Sequence, residues 1–251
     1  MNEVPAGLTQ DAPAFQAGPE AARGAPALPA TSWRPSEESS ADTALARFIL
    51  ELRSKGLTDP ALLNAFERVP RAEFVPGFAP ALLYSPVCLP LPCGEEATDP
   101  FSLARHLVLL DVRPGLRVLE IGTGSGYLSA LLARLGATIT SFERYRTLVR
   151  RAERVFRATG VASVTPALGD GMARLDRPEG FDRIIVNGAI ETMPQHLMDR
   201  LHANGVALAH RQRGLETHLV VWKKDLSGYA LAQDHGPSRL GLMRAGVPDV
   251  L

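Results

Sequence analysis

The sequence predicts an α/β fold, a mostly parallel sheet with helices on both faces, carrying a helical appendage ahead of it. Two observations lead there. After Pro114-Gly115 apolar strand-like runs alternate with amphipathic helical runs almost to the C-terminus. Such alternation calls for a parallel sheet covered on both sides. The first of these runs also breaks into a glycine-rich turn and then a helix, as ligand-binding α/β units do.

Taken in order, residues 1–42 are dominated by Ala, Pro and Gly without apolar periodicity. Such a stretch buries too little apolar surface to offset its ordering entropy, so a disordered tail is expected. From Thr43, Leu45, Phe48, Ile49 and Leu52 repeat at helical spacing, with Asp42 as the expected cap and Gly56 as the end. A second helix is expected over Pro60–Glu67, where Asp59 can cap and Pro60 suits the first turn. The Pro-rich stretch 69–100 reads as irregular chain, and Leu103, Leu107 and Leu110 mark another helix. These make up an N-terminal helical and substrate-loop region, 43–112. In the core region, 113–251, strands are expected at 116–121, 138–142, 163–167, 182–187, 205–210 and 217–223. Helices are expected near 126–135, 145–159 and 194–203.

Bulk composition narrows the function. The 251 residues hold 27 basic and 27 acidic side chains, so no global positive field favours a polyanion. No apolar run reaches the length of a membrane span, and the N-terminus lacks the layout of a secretory signal. The expectation is a cytoplasmic protein, monomeric, with neither nucleic acid nor membrane as partner. Cys88 and Cys93 share one loop-like stretch without CxxC spacing, and the histidines form no HExxH or HxxxH pattern. Reduced thiols and no metal site are expected. Arg144, Arg146, Arg150, Arg151, Arg154 and Arg157 read as the solvated face of an outer helix.

The informative stretch is Val118-Leu119-Glu120-Ile121-Gly122-Thr123-Gly124-Ser125-Gly126-Tyr127. Its GxGxG spacing differs from the dinucleotide pattern GxGxxG, no GxxxxGK[ST] occurs anywhere, and Glu120 precedes the glycines. This looks like motif I of S-adenosylmethionine (AdoMet)-dependent methyltransferases. Glu143 follows the second strand roughly 20 residues on, where an acid can accept from both ribose hydroxyls. Gly169-Asp170-Gly171 closes the third strand, and Asp170 can accept from an adenine amino group. Gly122, Gly124, Gly126, Glu120, Glu143, Asp170 and Gly171 are therefore the candidate cofactor residues of a Rossmann-like AdoMet-dependent methyltransferase fold. An NAD-dependent oxidoreductase is the rival reading, opposed by the glycine spacing and the lack of a hydride-transfer constellation.

Longer stretches carry a narrower resemblance. Val69-Pro70-Arg71-Ala72-Glu73-Phe74-Val75 is similar to a "VPRxxFV" segment. Leu89-Pro90-Leu91 with Thr98-Asp99-Pro100-Phe101 stands where "LPI…ISxPY" is found. Arg117–Tyr127, Gly169–Gly171 and Phe181-Asp182-Arg183-Ile184-Ile185-Val186 fall in register with them. From about residue 45 to 240 the chain resembles the protein-L-isoaspartate (D-aspartate) O-methyltransferases. The resemblance implies an AdoMet-dependent protein carboxyl O-methyltransferase that esterifies the α-carboxylate of isoaspartyl residues in damaged proteins, a repair reaction. It places Thr98 at the acceptor, since the family's "GQTIS" loop aligns with Gly94-Glu95-Glu96-Ala97-Thr98.

That loop also departs from the pattern. Glu95 and Glu96 replace uncharged residues, Asp99 adds a third acid, and "TA" after the fourth strand is Asn187-Gly188. A like-charge pair at about 5 Å and an effective dielectric near 20 costs roughly 3 kcal/mol. Three outcomes stay open: repair with the acids turned away, a diverged paralogue with another acceptor, or an AdoMet-binding adaptor. Arg211 and Arg213 are expected to balance Glu95 and Glu96.

Overall fold

A computed structural model describes residues 37–173, 179–228 and 230–248; of the expected tail over 1–42, residues 1–36 lie outside the described residues and 37–42 belong to the first helix instead. The elements are α1 (Glu37–Ser54), α2 (Pro60–Arg68), α3 (Arg71–Phe74), α4 (Pro80–Leu83), β1 (Leu89–Pro90), β2 (Glu96–Ala97) and α5 (Pro100–Leu110). Then follow β3 (Arg117–Ile121), α6 (Tyr127–Arg134), β4 (Thr138–Glu143), α7 (Arg146–Thr159), β5 (Val164–Leu168) and β6 (Phe181–Ile190). The chain ends with α8 (Gln195–Arg200), β7 (Leu201–Arg213), β8 (Glu216–Lys224) and β9 (Ala230–Ser238).

A seven-stranded sheet runs in the order β5-β4-β3-β6-β7-β8-β9. β3 to β7 pair in parallel, and β8 and β9 close one edge as an antiparallel meander. The chain leaves β3 outward through β4 and β5, then returns to place β6 on β3's other side. Strand order therefore reverses between β3 and β6, where the diverging loops leave a crevice at the C-terminal strand ends. The central strands carry consecutive apolar residues at their middles because both faces are covered: Val118, Leu119, Ile184, Ile185 and Val186 are wholly buried.

Helix starts follow the short-range chemistry. The Asp59 carboxylate accepts from Ala61 N at 2.8 Å and caps α2, with Pro60 in the first turn. α1 begins at Glu37, ahead of the expected cap at Asp42, which is an interior helical residue instead. α7 buries Leu148, Val149, Ala152 and Phe156 and turns Arg146, Arg150, Arg154 and Arg157 to solvent. The N-terminal helices pack through Phe48, whose ring meets Phe66 edge-on at 5.2 Å and Phe101 at 5.0 Å.

Sequence pattern did not anticipate β9. Its residues are mostly exposed, and Gln233-Asp234-His235-Gly236-Pro237 has poor strand propensity. Pairing comes from across the strands: Asp234 takes the His218 ring at 2.9 Å and Arg213 at 3.0 Å. Among the described residues no helix is long and apolar enough to cross a membrane, and no cluster of three His, Cys, Asp or Glu could hold a metal ion.

Candidate active site

A cavity of about 590 Å³ opens at the switch point, over the C-terminal ends of β3, β4 and β5. Its floor is the turn Gly122-Thr123-Gly124-Ser125; Phe142, Glu143 and Arg144 form one wall, and Gly169-Asp170-Gly171 extends it. The opposite wall is the loop Gly94–Thr98 with Arg71, and residues 240–244 border the opening.

The structure thus brings Gly122, Gly124, Glu143, Asp170, Gly171 and Thr98 to one cavity. Gly122 sits at φ +90°, and a Cβ there would lie 3.3 Å from the Asn187 Cβ, so the tight turn excludes larger residues. Glu143 is buried at the end of β4, where Oε2 accepts from Gly124 N at 2.9 Å and Oε1 from Tyr145 N at 3.0 Å. Burial raises its pKa, the two backbone donors oppose this, and Glu95 adds to the rise. A carboxylate can accept about four hydrogen bonds, so lone pairs remain for ligand hydroxyls. Asp170 accepts from Met172 N at 2.9 Å and from Gly246 N at 2.7 Å, tying the C-terminal segment over this end.

Two predicted cofactor residues do not reach the cavity. Glu120 is wholly buried beneath the turn. One of its oxygens accepts from Ser129 and from Ser141 at 2.7 Å, the other from Asn187 Nδ2 at 3.0 Å. Burial pushes its pKa up to about 7 against these donors. Its place is structural support of the turn. Gly126, at φ +83°, faces α7: a Cβ would lie 2.9 Å from Phe156 Cζ. Its lack of a side chain lets α6 settle on α7.

Asn187 was noted in the sequence only as a departure from "TA", yet it joins the parts of the site. Its Nδ2 donates to Glu120 and, at 2.9 Å, to Gly122 O, while its buried Oδ1 has no partner in the protein. Both donor contacts go to acceptors, which fixes the orientation of the amide. An orphaned acceptor on the cavity wall beside the glycine turn suits a cationic ligand group. Gly188 admits Met243, whose sulfur would lie 2.3 Å from any Cβ there.

At the acceptor end, three expectations change. Asp99 is the N-cap of α5, where its carboxylate accepts from Phe101 N at 3.0 Å and Ser102 N at 2.9 Å. It serves the helix and does not line the cavity. Arg213 is paired with Asp234, and Arg211 borders a separate cleft with Trp222, so neither balances Glu95 or Glu96. Both glutamates do line the cavity, Glu95 half-buried and Glu96 exposed. The cation near them is Arg71, whose Nη2 donates to Thr98 O at 2.7 Å.

A family model described as protein-L-isoaspartate (D-aspartate) O-methyltransferase matches residues 44–237. A protein-L-isoaspartate O-methyltransferase of Paracoccus denitrificans is 41% identical over 160 residues, 64% of this chain and 74% of its own. One from Caulobacter sp. K31 is 37% identical over 180 residues, 70% and 83% respectively. Among solved structures, a Plasmodium falciparum chain bearing that enzyme's name, in complex with S-adenosyl-L-homocysteine, superposes with a TM-score of 0.70 at 18% identity, over 79% of this chain and 97% of that one. At that identity the likeness speaks for the Rossmann-like methyltransferase fold. The chain belongs to the protein-L-isoaspartate (D-aspartate) O-methyltransferase family.

Proposed function

We propose that this protein is an AdoMet-dependent protein carboxyl O-methyltransferase acting on the free α-carboxylate of isoaspartyl residues in damaged proteins. The observation that carries the reading is one cavity holding two differently equipped ends, in a chain of this family. The glycine turn, Glu143 and Asp170 offer the acceptors a nucleoside and its sulfonium arm require; Thr98 and Arg71 offer donors and positive charge opposite.

When bound, AdoMet supplies an electrophilic methyl group on a positively charged sulfur. Glu143 would accept from ribose hydroxyls, and Asp170 from an adenine amino group. Anionic Glu143 and the orphaned Asn187 Oδ1 suit a cationic cofactor. The incoming acceptor is a carboxylate, already ionised near neutral pH, so the chain needs no general base to activate it. Because a carboxylate acceptor would enter without a proton to lose, the residues of the site would need only to hold one of its oxygens toward the bound methyl donor. What remains for the protein is positioning and electrostatics. The Thr98 hydroxyl is the proposed donor to the acceptor carboxylate, on a loop that Arg71 fixes through the Thr98 carbonyl. Buried Leu103 on the same wall helps keep water from the reacting pair.

We extend the reading to organisation: a tail that ends ahead of α1, an acceptor-side region from α1 to residue 112 and an AdoMet-binding core over 113–251. The proposed setting is a cytoplasmic monomer acting on proteins, without nucleic acid or membrane. The test is methyl transfer from labelled AdoMet to an isoaspartyl peptide, with its aspartyl twin as control. Selective labelling of the isoaspartyl form is expected. AdoMet binding with no labelling would overturn the repair reading.

A further inference from the structure

Arg71 is the most buried charged side chain at the site, with no measurable solvent exposure. It opens the short helix α3 and lies on the cavity wall, its guanidinium 4.8 Å from the centre of the Tyr127 ring. Of its three side-chain nitrogens, only Nη2 has a partner, the Thr98 carbonyl; Nε and Nη1 are buried without one. The neighbouring Tyr127 hydroxyl is likewise buried and unpartnered.

No carboxylate pairs with Arg71 among the described residues. Asp99 feels its charge, but the hydrogen bonds of that carboxylate go to the start of α5. A guanidinium stays protonated even when buried, and an uncompensated buried charge is strongly destabilising. Fixing the Thr98 carbonyl would need only a neutral donor. The arrangement makes physical sense if an anion comes to the cavity during the catalytic cycle, and the acceptor carboxylate at Thr98 is that anion. The same cation offsets the field of Glu95 and Glu96, which face the cavity from the adjoining loop.

We propose that Arg71 is a positioning residue for the acceptor: it supplies the buried positive field that makes the pocket select a carboxylate over a neutral group, while holding the Thr98 loop in place. This rests on the isoaspartyl reading above. A unit charge several ångströms from a carboxylate, at an effective dielectric near 20, changes affinity by roughly ten- to a hundredfold.

The test uses the full chain saturated with S-adenosyl-L-homocysteine and two peptides identical except that the isoaspartyl α-carboxylate is replaced by a carboxamide in one. Dissociation constants are measured for wild type, Arg71→Met and Arg71→Lys. Wild type should prefer the acid by about tenfold or more, and Arg71→Met should bring the two peptides within about threefold, mainly by losing the acid. Arg71→Lys, which keeps charge but not the planar fork, should keep most of the preference. Arg71→Gln, measured alongside, keeps a neutral donor for the Thr98 carbonyl but not the charge; it should lose the preference as the Met variant does, and decides the matter if that variant does not fold. A role confined to packing would weaken both peptides equally and leave the ratio unchanged in the neutral variants, which overturns the inference while leaving the repair reading intact. Failure of wild type to bind the acid peptide would overturn both.

Discussion

Glu120 gives the pH dependence of stability a definite shape. Its carboxyl is wholly enclosed under the glycine turn, and burial pushes its pKa from 4.5 up to about 7, with the Glu143 charge adding slightly. Between those values the folded protein keeps a proton that the unfolded chain has released. Stability from this group is therefore fully present below about pH 4.5 and is lost as pH rises through 7. The shift of about 2.5 units at 1.36 kcal/mol per unit corresponds to roughly 3 kcal/mol across that window. Gln is the neutral isostere of the protonated acid, so Glu120→Gln should match wild type near pH 5 and exceed it by up to about 3 kcal/mol at pH 8.

The buried histidines work in the opposite sense over part of the same range, so the wild-type curve alone would mislead. Urea unfolding of both proteins at several pH values, taken as a difference, cancels terms the two share. A difference that stays flat from pH 5 to pH 8 refutes the reasoning. That result would mean the Ser129, Ser141 and Asn187 donors hold Glu120 ionised throughout, and the substitution would cost stability at every pH.

Four further outcomes are expected. His210 is buried against His106 at 5.0 Å between ring centres, and burial lowers its pKa from 6.5 to about 4. Stability is thus lost as pH falls through this window, by about 3 kcal/mol, and His210→Phe should flatten that acid limb in the same unfolding series. Gly126→Ala should lower unfolding free energy by about 2–4 kcal/mol, from its left-handed backbone and the Phe156 contact, while AdoMet affinity by calorimetry changes less than about threefold. Glu143→Gln should raise the AdoMet dissociation constant about 10- to 100-fold, since charge-assisted hydrogen bonds to the ribose are weakened. Glu95→Gln with Glu96→Gln should reduce a preference for lysine-flanked over glutamate-flanked isoaspartyl peptides by about three- to tenfold, an effect that shrinks as salt is added.

Much of the fold was legible because its signals are local. The adjacent apolar residues Val118-Leu119 and Ile184-Ile185-Val186 need cover on both faces, and such a strand followed by GxGxG and a helix fixes one βα unit. Asp59-Pro60 marks a helix start by its own chemistry. What spacing leaves out is which way a side chain faces once the strand is packed. Glu120 and Glu143 are both acids beside the glycine turn, but one points under it and one into the cavity. Gly122 and Gly126 belong to one motif, yet the first keeps the turn open to a ligand and the second lets two helices touch. β9 was missed because its pairing depends on Arg213 and His218 from strands already in place, which a window of sequence does not contain.

The acceptor loop shows the same limit in its electrostatics. Counted along the chain, Glu95, Glu96 and Asp99 make a site hostile to an anion. In three dimensions Asp99 is occupied by the first turn of α5, and a cation from α3 has been buried against Thr98. A charge enclosed in protein acts through a lower dielectric than one facing water, so buried Arg71 weighs more at the cavity than exposed Glu96. Half-buried Glu95, whose charge is felt by Glu143 at the other wall, is the acid whose influence reaches furthest into the site. Separate Glu95→Gln and Glu96→Gln variants should therefore differ: the first should move AdoMet affinity and peptide preference together, the second peptide preference alone. Equal effects on AdoMet affinity would show that burial does not rank these charges.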